Sequence, residues 1–227
     1  DSTALELVER SPYLLPFISI PLVYFTTNPD DCKNKKMEYN KDIGKKFGLM
    51  EVNKMLCQFT VKNFKSIRDE VTFDMQAAAI SEHEDRIIKD TDGELYLPVS
   101  AVYGPNGGGK SNVLEALHSL VTKVLRPLYA TSNSEETAMK MKKVVIEPFA
   151  FDEATRNEPT EFEVFFRTEL AEYRYILHVK REIVVYECLD RVKLETGRRS
   201  ALFERNAEET ILKGVFAKLK ISDELSE

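Results

Sequence analysis

Eight consecutive residues, Gly104, Pro105, Asn106, Gly107, Gly108, Gly109, Lys110 and Ser111, carry the densest chemistry in the chain. They satisfy the spacing G-x-x-x-x-G-K-[ST], and each residue type in it meets a physical need. Glycines let successive backbone N–H groups turn toward one point with no Cβ in the way, which makes a nest for an anion. A helix starting at the end of the loop aims its positive terminus at the same point. Lys110 supplies a mobile charge for β- and γ-phosphate oxygens. Ser111 offers a hydroxyl to Mg²⁺, an ion that otherwise keeps waters and phosphate oxygens as ligands. A glycine-rich turn that merely joined strand to helix would not require Lys110 and Ser111 directly after its last glycine, and a kinase-type glycine loop does not end in that pair. The pattern predicts a site for ATP and Mg²⁺ built from Gly104 to Ser111 with the adjoining Asn112, and Ser111 as the metal ligand.

Such a loop needs a strand before it and a helix after it. Residues 97–103 are short, apolar and β-branched, which predicts a buried strand. Beyond the loop Val113, Leu114, Leu117, Leu120, Val121, Val124 and Leu125 fall at helical spacing, and Pro127 is expected to close that helix. Residues 131–143, rich in Ser, Thr, Glu and Lys, read as an exposed excursion or a short surface helix. Upstream, residues 57–64 alternate and place Cys57, Phe59 and Val61 on one face of a half-buried strand. Residues 70–74 continue the rhythm after the bend Lys65-Ser66-Ile67-Arg68, as a hairpin or strand pair. Residues 77–94 read as a helical turn and loop with a turn signal at Asp92-Gly93.

Five strand-like runs follow, at 144–151, 161–167, 173–180, 183–194 and 201–204. The short polar gaps between them favour antiparallel hairpins and a sheet at about 144–206 with one wet face. In the third run Tyr173, Tyr175, Leu177 and Val179 share one side and Arg174, His178 and Lys180 the other. Residues 208–227 read as helical.

With 227 residues, 43% of them hydrophobic and 31% charged, the composition is that of a soluble globular protein with one sizeable core. The net charge of -6 leaves no overall basic surface, so any DNA contact would need a local patch. Cys32, Cys57 and Cys188 are odd in number and widely spaced, which fits a reducing cytoplasm better than a disulfide framework. His83, His118 and His178 are scattered and are assigned no chemistry. Residues 13–25 are apolar but too short to span a bilayer and contain Pro16 and Pro21. No membrane role is expected. Between Lys33 and Lys54 seven lysines sit against three acidic residues, a run that reads as a solvated tail. Residues 1–54 are accordingly expected to be an appendage, a variable leader or a translation artefact, and the regular fold to begin at Met55.

The run from Gly104 to Asn112, with Lys62-Asn63-Phe64-Lys65-Ser66 upstream, resembles the amino-terminal half of ABC-type ATPase heads such as RecF and the SMC proteins. Residues 59–67, 82–84, 97–104, 149–152, 159–163 and 173–175 resemble, more specifically, bacterial AAA-type ATPases related to the OLD family, over about 55–195. The fold this implies is α/β: a P-loop NTPase of ABC-ATPase-like head type, with 55–227 as its amino-terminal part and an added antiparallel sheet. The resemblance also implies two heads sandwiching two ATP molecules, hence a homodimer or higher oligomer. It implies a DNA-directed or phage-defence activity, with DNA or a nuclease as partner. On the same ground Lys62 and Asn63 would lie near the nucleotide, while as residues of a bend they read equally well as turn residues on a solvated edge.

Departures qualify the resemblance. A Walker B segment, an apolar run ending in Asp-Glu, does not follow the loop. Ile183-Val-Val-Tyr-Glu187 comes nearest, too early and with one acid. A signature Ser-Gly-Gly-type motif, a switch histidine and a downstream glutamine are also missing, so no catalytic residue is assigned. In these families such parts lie far along the chain, and residues 1–227 are expected to be a fragment that binds nucleotide weakly and hydrolyses it poorly. Two functions remain open: an ATP hydrolase whose cycle drives another activity, and a non-hydrolysing nucleotide switch or scaffold. A GTPase or nucleoside kinase lacks its Asn-Lys-x-Asp or its arginine cluster.

Overall fold

The computed structural model describes residues 55–78, 84–131, 145–214 and 216–218, so the readings of 1–54 and of 132–143 lie outside the described residues. In chain order the strands are β1 (Met55–Lys62), β2 (Val71–Asp74), β3 (Ile88–Lys89), β4 (Leu95–Tyr96), β5 (Thr160–Arg167), β6 (Ala171–Lys180), β7 (Ile183–Lys193), β8 (Arg199–Asn206) and β9 (Thr210–Leu212). One α-helix, α1 (Lys110–Thr131), follows the glycine-rich loop. Seven strands form one sheet in the order β2-β1-β5-β6-β7-β8-β9, with antiparallel pairing throughout, and β3 pairs with β4 alone.

Alternation along the strands produces the two faces, because successive side chains on a strand point to opposite sides. In β6 every second residue from Ala171 to Val179 is buried. Register then aligns these residues across strands: Phe59 faces Val164, Val164 faces Tyr175, Tyr175 faces Leu189 and Leu189 faces Phe203. The inner face carries stacked pairs, Phe59 with Phe162 at 6.5 Å and Phe166 with Tyr173 at 5.1 Å between ring centres. Ala116, Leu117 and Leu120 of α1 join the same core. The outer face is laced by charge pairs, Lys62 with Glu161 at 3.1 Å and Arg174 with Glu163 among them.

Several expectations are corrected. Residues 97–103 form no strand, and Val99 and Tyr103 are 77% and 90% exposed. A β-branched run becomes a buried strand only when neighbours pair with it, and among the described residues none pairs with 98–103. Residues 145–151 are also not a strand. Their backbone is held by side chains instead of a ladder, the Ile146 N–H by Glu182 Oε1 at 2.8 Å and the Phe149 N–H by Asn63 Oδ1 at 2.9 Å. Helix α1 passes Pro127 and ends at Thr131. A proline removes its own bond to the carbonyl four residues back, here that of Lys123, and the bonds of its neighbours carry the last turn. Where a helix was expected over 208–227, Thr210, Ile211 and Leu212 pair with β8, the first two being β-branched residues that favour a strand edge, and Phe216–Lys218 form a single 3-10 turn, while 219–227 lie outside the described residues. The loop expected at 77–94 carries β3, which pairs with β4 just beyond it in a hairpin, and these strands of two residues each are too short to show a period.

That hairpin is riveted to the main sheet by Arg167. The guanidinium, whose side chain is 10% exposed, meets Asp90 at 3.1 Å, Asp92 at 2.7 Å and Glu172 at 2.7 Å. It also lies over the Tyr96 ring at 5.3 Å. Burial disfavours its charge, but the bonds to Glu172 and Asp90 outweigh that and hold its pKa above the ordinary arginine range.

Candidate nucleotide-binding site

The glycine-rich loop leads directly into the first turn of α1, at Lys110. Gly107 and Gly109 have φ of 80° and 81°, in the left-handed region where a Cβ is strained. Crowding adds a second requirement. A Cβ on Gly108 would stand 3.1 Å from the Pro105 carbonyl oxygen, and one on Gly109 would stand 3.2 Å from Ser66 Oγ. The loop closes on itself through Gly108 N–H donating to Pro105 O at 3.2 Å, and the helix opens with Asn112 N–H donating to Gly109 O at 2.9 Å. Lys110 folds across the mouth: its Nζ donates to Gly104 O at 2.8 Å and Pro105 O at 2.7 Å. Ser111 is exposed one residue further along.

The bend between β1 and β2 holds this loop from the side. Asn112 Nδ2 donates to Ser66 Oγ at 2.6 Å, and Lys65 pairs with Glu115 one turn along α1. Lys65 also donates its backbone N–H to Glu147 O at 2.9 Å, which draws the 145–159 loop to the same place. Between bend and loop lies an open cleft of about 610 Å³, bounded by Ser66 to Val71, Val102 to Pro105, Gly108 to Lys110, Val113 and Phe149. Its exposed cation, Arg68, is paired with Asp69 at 3.0 Å, and that bond raises the arginine pKa.

Of residues 104–112, Gly104, Pro105, Gly108, Gly109 and Lys110 line the cleft, while Asn106, Gly107, Ser111 and Asn112 do not. Lys62 and Asn63 are not among the residues that line it. Lys62 ends β1 and pairs with Glu161, a bond that raises its pKa. Asn63 is wholly buried, with φ of 55°, a left-handed conformation that asparagine tolerates better than most residues. Its Nδ2 donates to the carbonyls of Thr155 at 2.8 Å, Glu158 at 3.1 Å and Pro159 at 3.1 Å, and its Oδ1 accepts from Phe149 N–H. Ser66, Arg68 and Phe149 were not singled out as site residues by the spacing of the sequence. The signal nearest to them was the polar Lys-Ser-Ile-Arg bend between two alternating runs, which does not say what the bend touches.

A family model described as "AAA domain, putative AbiEii toxin, Type IV TA system" matches residues 99–226, more than half of the chain. The chain belongs to this family of AAA domains. The match starts just ahead of the glycine-rich loop and runs through α1 and strands β5 to β9, so the loop, α1 and these five strands belong to one AAA domain of P-loop NTPase type, with β1 and β2 of the same sheet outside the matched residues. No curated protein matches the chain. Among the described residues no helix is long and apolar enough to cross a membrane.

Proposed function

We propose that this AAA domain binds ATP with Mg²⁺ at the mouth of the Gly104–Ser111 loop and, in the working protein, hydrolyses it. The observation that carries this is the Lys110 ammonium, held by the Gly104 and Pro105 carbonyls across a loop in which a Cβ on Gly108 or Gly109 would crowd its neighbours at 3.1 and 3.2 Å. The residues present fit the group. Backbone N–H groups of 106–110 and the start of α1 would hold the phosphates, with Lys110 moving from the loop carbonyls to the β- and γ-oxygens. Ser111 would hold Mg²⁺, and Asn112 would keep the helix start in place through Ser66. The metal, when bound, neutralises charge on the phosphate oxygens. Asn63 supports this site from behind the bend through its bond to the Phe149 N–H.

The unit beginning at Met55 is read as the amino-terminal part of an ABC-ATPase-like head, related to the OLD, RecF and SMC group, that pairs with a second head as a homodimer or higher oligomer. The sequence likeness supports that reading. A cytoplasmic, defensive role with DNA or a nuclease as partner agrees with the toxin–antitoxin system named in the family description. The buried free thiols of Cys57 and Cys188 agree with a reducing compartment.

The test is ATP binding and turnover by the protein, with and without DNA, beside Lys110→Ala. Removing a charge-assisted contact to phosphate is expected to weaken ATP binding by about tenfold or more. ATP binding unchanged in Lys110→Ala overturns the proposal. Binding that depends on Lys110, without turnover under any condition, moves the function to a nucleotide-occupied switch.

A further inference from the structure

We infer that Phe149 is the base-contacting wall of the cleft, fixed in place by the buried amide of Asn63, and that it gives a nucleotide an advantage over bare polyphosphate. The inference rests on the phosphate-binding reading of the glycine-rich loop.

The cleft lining is of two chemical kinds. Lys110 and the loop glycines are suited to anionic oxygens. The rest of the lining combines the apolar residues Ile67, Val71, Val102, Val113 and Phe149 with the polar bend residues Ser66, Arg68, Asp69 and Glu70. About 610 Å³ is in the range that accommodates a whole drug-sized molecule, well beyond what three phosphates fill. A ligand anchored by phosphate at Lys110 therefore extends its remaining atoms over apolar surface, and a flat aromatic base is the part of a nucleotide that gains from it.

Phe149 is placed for this by its backbone. Its N–H is bound to Asn63 Oδ1 at 2.9 Å, while the same amide grips the carbonyls of Thr155, Glu158 and Pro159 further along the loop. Two residues earlier the loop is tied to the bend by the bond from Lys65 N–H to Glu147 O. Phe151 then meets the Phe149 ring edge-on, at 5.6 Å between centres and 65° between planes. Phe149, which has no regular secondary structure of its own, is in this way tied to the end of β1. Asn63 is the positioning residue and Phe149 the one that touches ligand.

The experiment measures affinities of ATP and of inorganic tripolyphosphate for the full chain and for Phe149→Ala, Phe149→Leu and Phe149→Tyr. In the unsubstituted protein ATP is expected to bind more tightly than tripolyphosphate. Phe149→Ala should remove at least about fivefold of that margin, the low end of what a lost base–aromatic stack costs. Tripolyphosphate affinity should stay unchanged. Phe149→Leu keeps apolar bulk, guards against a folding defect in the alanine variant, and should also lose margin. Phe149→Tyr should retain it. A leucine or alanine variant with the full margin overturns the inference, as does an equal fall for both ligands. If the unsubstituted chain binds tripolyphosphate and gains nothing from the base, this inference alone fails. If it binds neither ligand, the phosphate reading fails and takes this one with it.

Discussion

Asn112 and Ser66, 46 positions apart, are joined by a 2.6 Å hydrogen bond from Asn112 Nδ2 to Ser66 Oγ. The bond ties the first turn of α1 to the bend that closes the β1–β2 hairpin. Ser66 Oγ also sits where a Cβ on Gly109 would crowd it, at 3.2 Å, so loop, helix and bend meet at one hydroxyl.

Removing that hydroxyl tests whether the bend sets the loop. Ser66→Ala should lower stability by only about 1 kcal/mol, the usual worth of one partly exposed bond. Nucleotide affinity should fall several-fold. Asn112→Ala should do the same, and the double variant should be no worse than either single one. Thermal unfolding beside nucleotide titration measures both effects, and additive losses would show that the two side chains act separately.

Asn63 supplies the second prediction. Asn63→Ala leaves the Phe149 N–H and the Thr155, Glu158 and Pro159 carbonyls without their partner in a buried place. It should cost on the order of 3 kcal/mol in urea unfolding. Because φ at Asn63 is 55°, Asn63→Gly should be less damaging than Asn63→Ala, by about 1 kcal/mol. If the two variants are equally stable, backbone strain contributes nothing at this site.

A third prediction concerns Arg167. Arg167→Met keeps much of the buried stem but leaves Asp90, Asp92 and Glu172 facing one another without a cation. Breaking so enclosed a group of ion pairs is expected to cost about 3 kcal/mol or more. Part of the loss should return in high salt, where repulsion between the carboxylates is screened. Equilibrium unfolding at low and high salt gives the answer.

The fourth is a pH dependence. Burial lowers the pKa of His178 below its ordinary 6.5, against the pull of Glu161, while Lys62 adds to the lowering. Its imidazole packs beside the Tyr186 ring at 5.3 Å. As pH falls, the unfolded chain therefore binds the proton before the folded one does. The stability contributed by His178 is full above about pH 6.5 and is lost as the pH drops from there through the depressed folded value. His178→Gln should unfold with a smaller difference in midpoint between pH 7.5 and pH 5.5 than the unsubstituted chain. An identical difference would mean that other groups set the acid response.

What the sequence determined by itself was chemistry carried by adjacent residues and periods carried by long strands. Gly104 to Ser111 point to a phosphate site because their roles are set by immediate neighbours, and β5 and β6 were legible because buried and half-buried residues alternate along most of their length. Tertiary structure alone decided the rest. Residues 97–103 have strand-forming side chains, yet a strand exists only with a partner. Two-residue strands such as β3 carry no period, and Pro127 proved weaker than the helix around it. The cleft was invisible for the same reason, since Ser66 meets Gly109 and Asn63 meets Phe149 only after the sheet brings distant segments together. Side-chain hydrogen bonds between such segments follow no spacing rule. Their geometry is created by packing, which brings the bend and the 145–159 loop to the side of the glycine-rich loop.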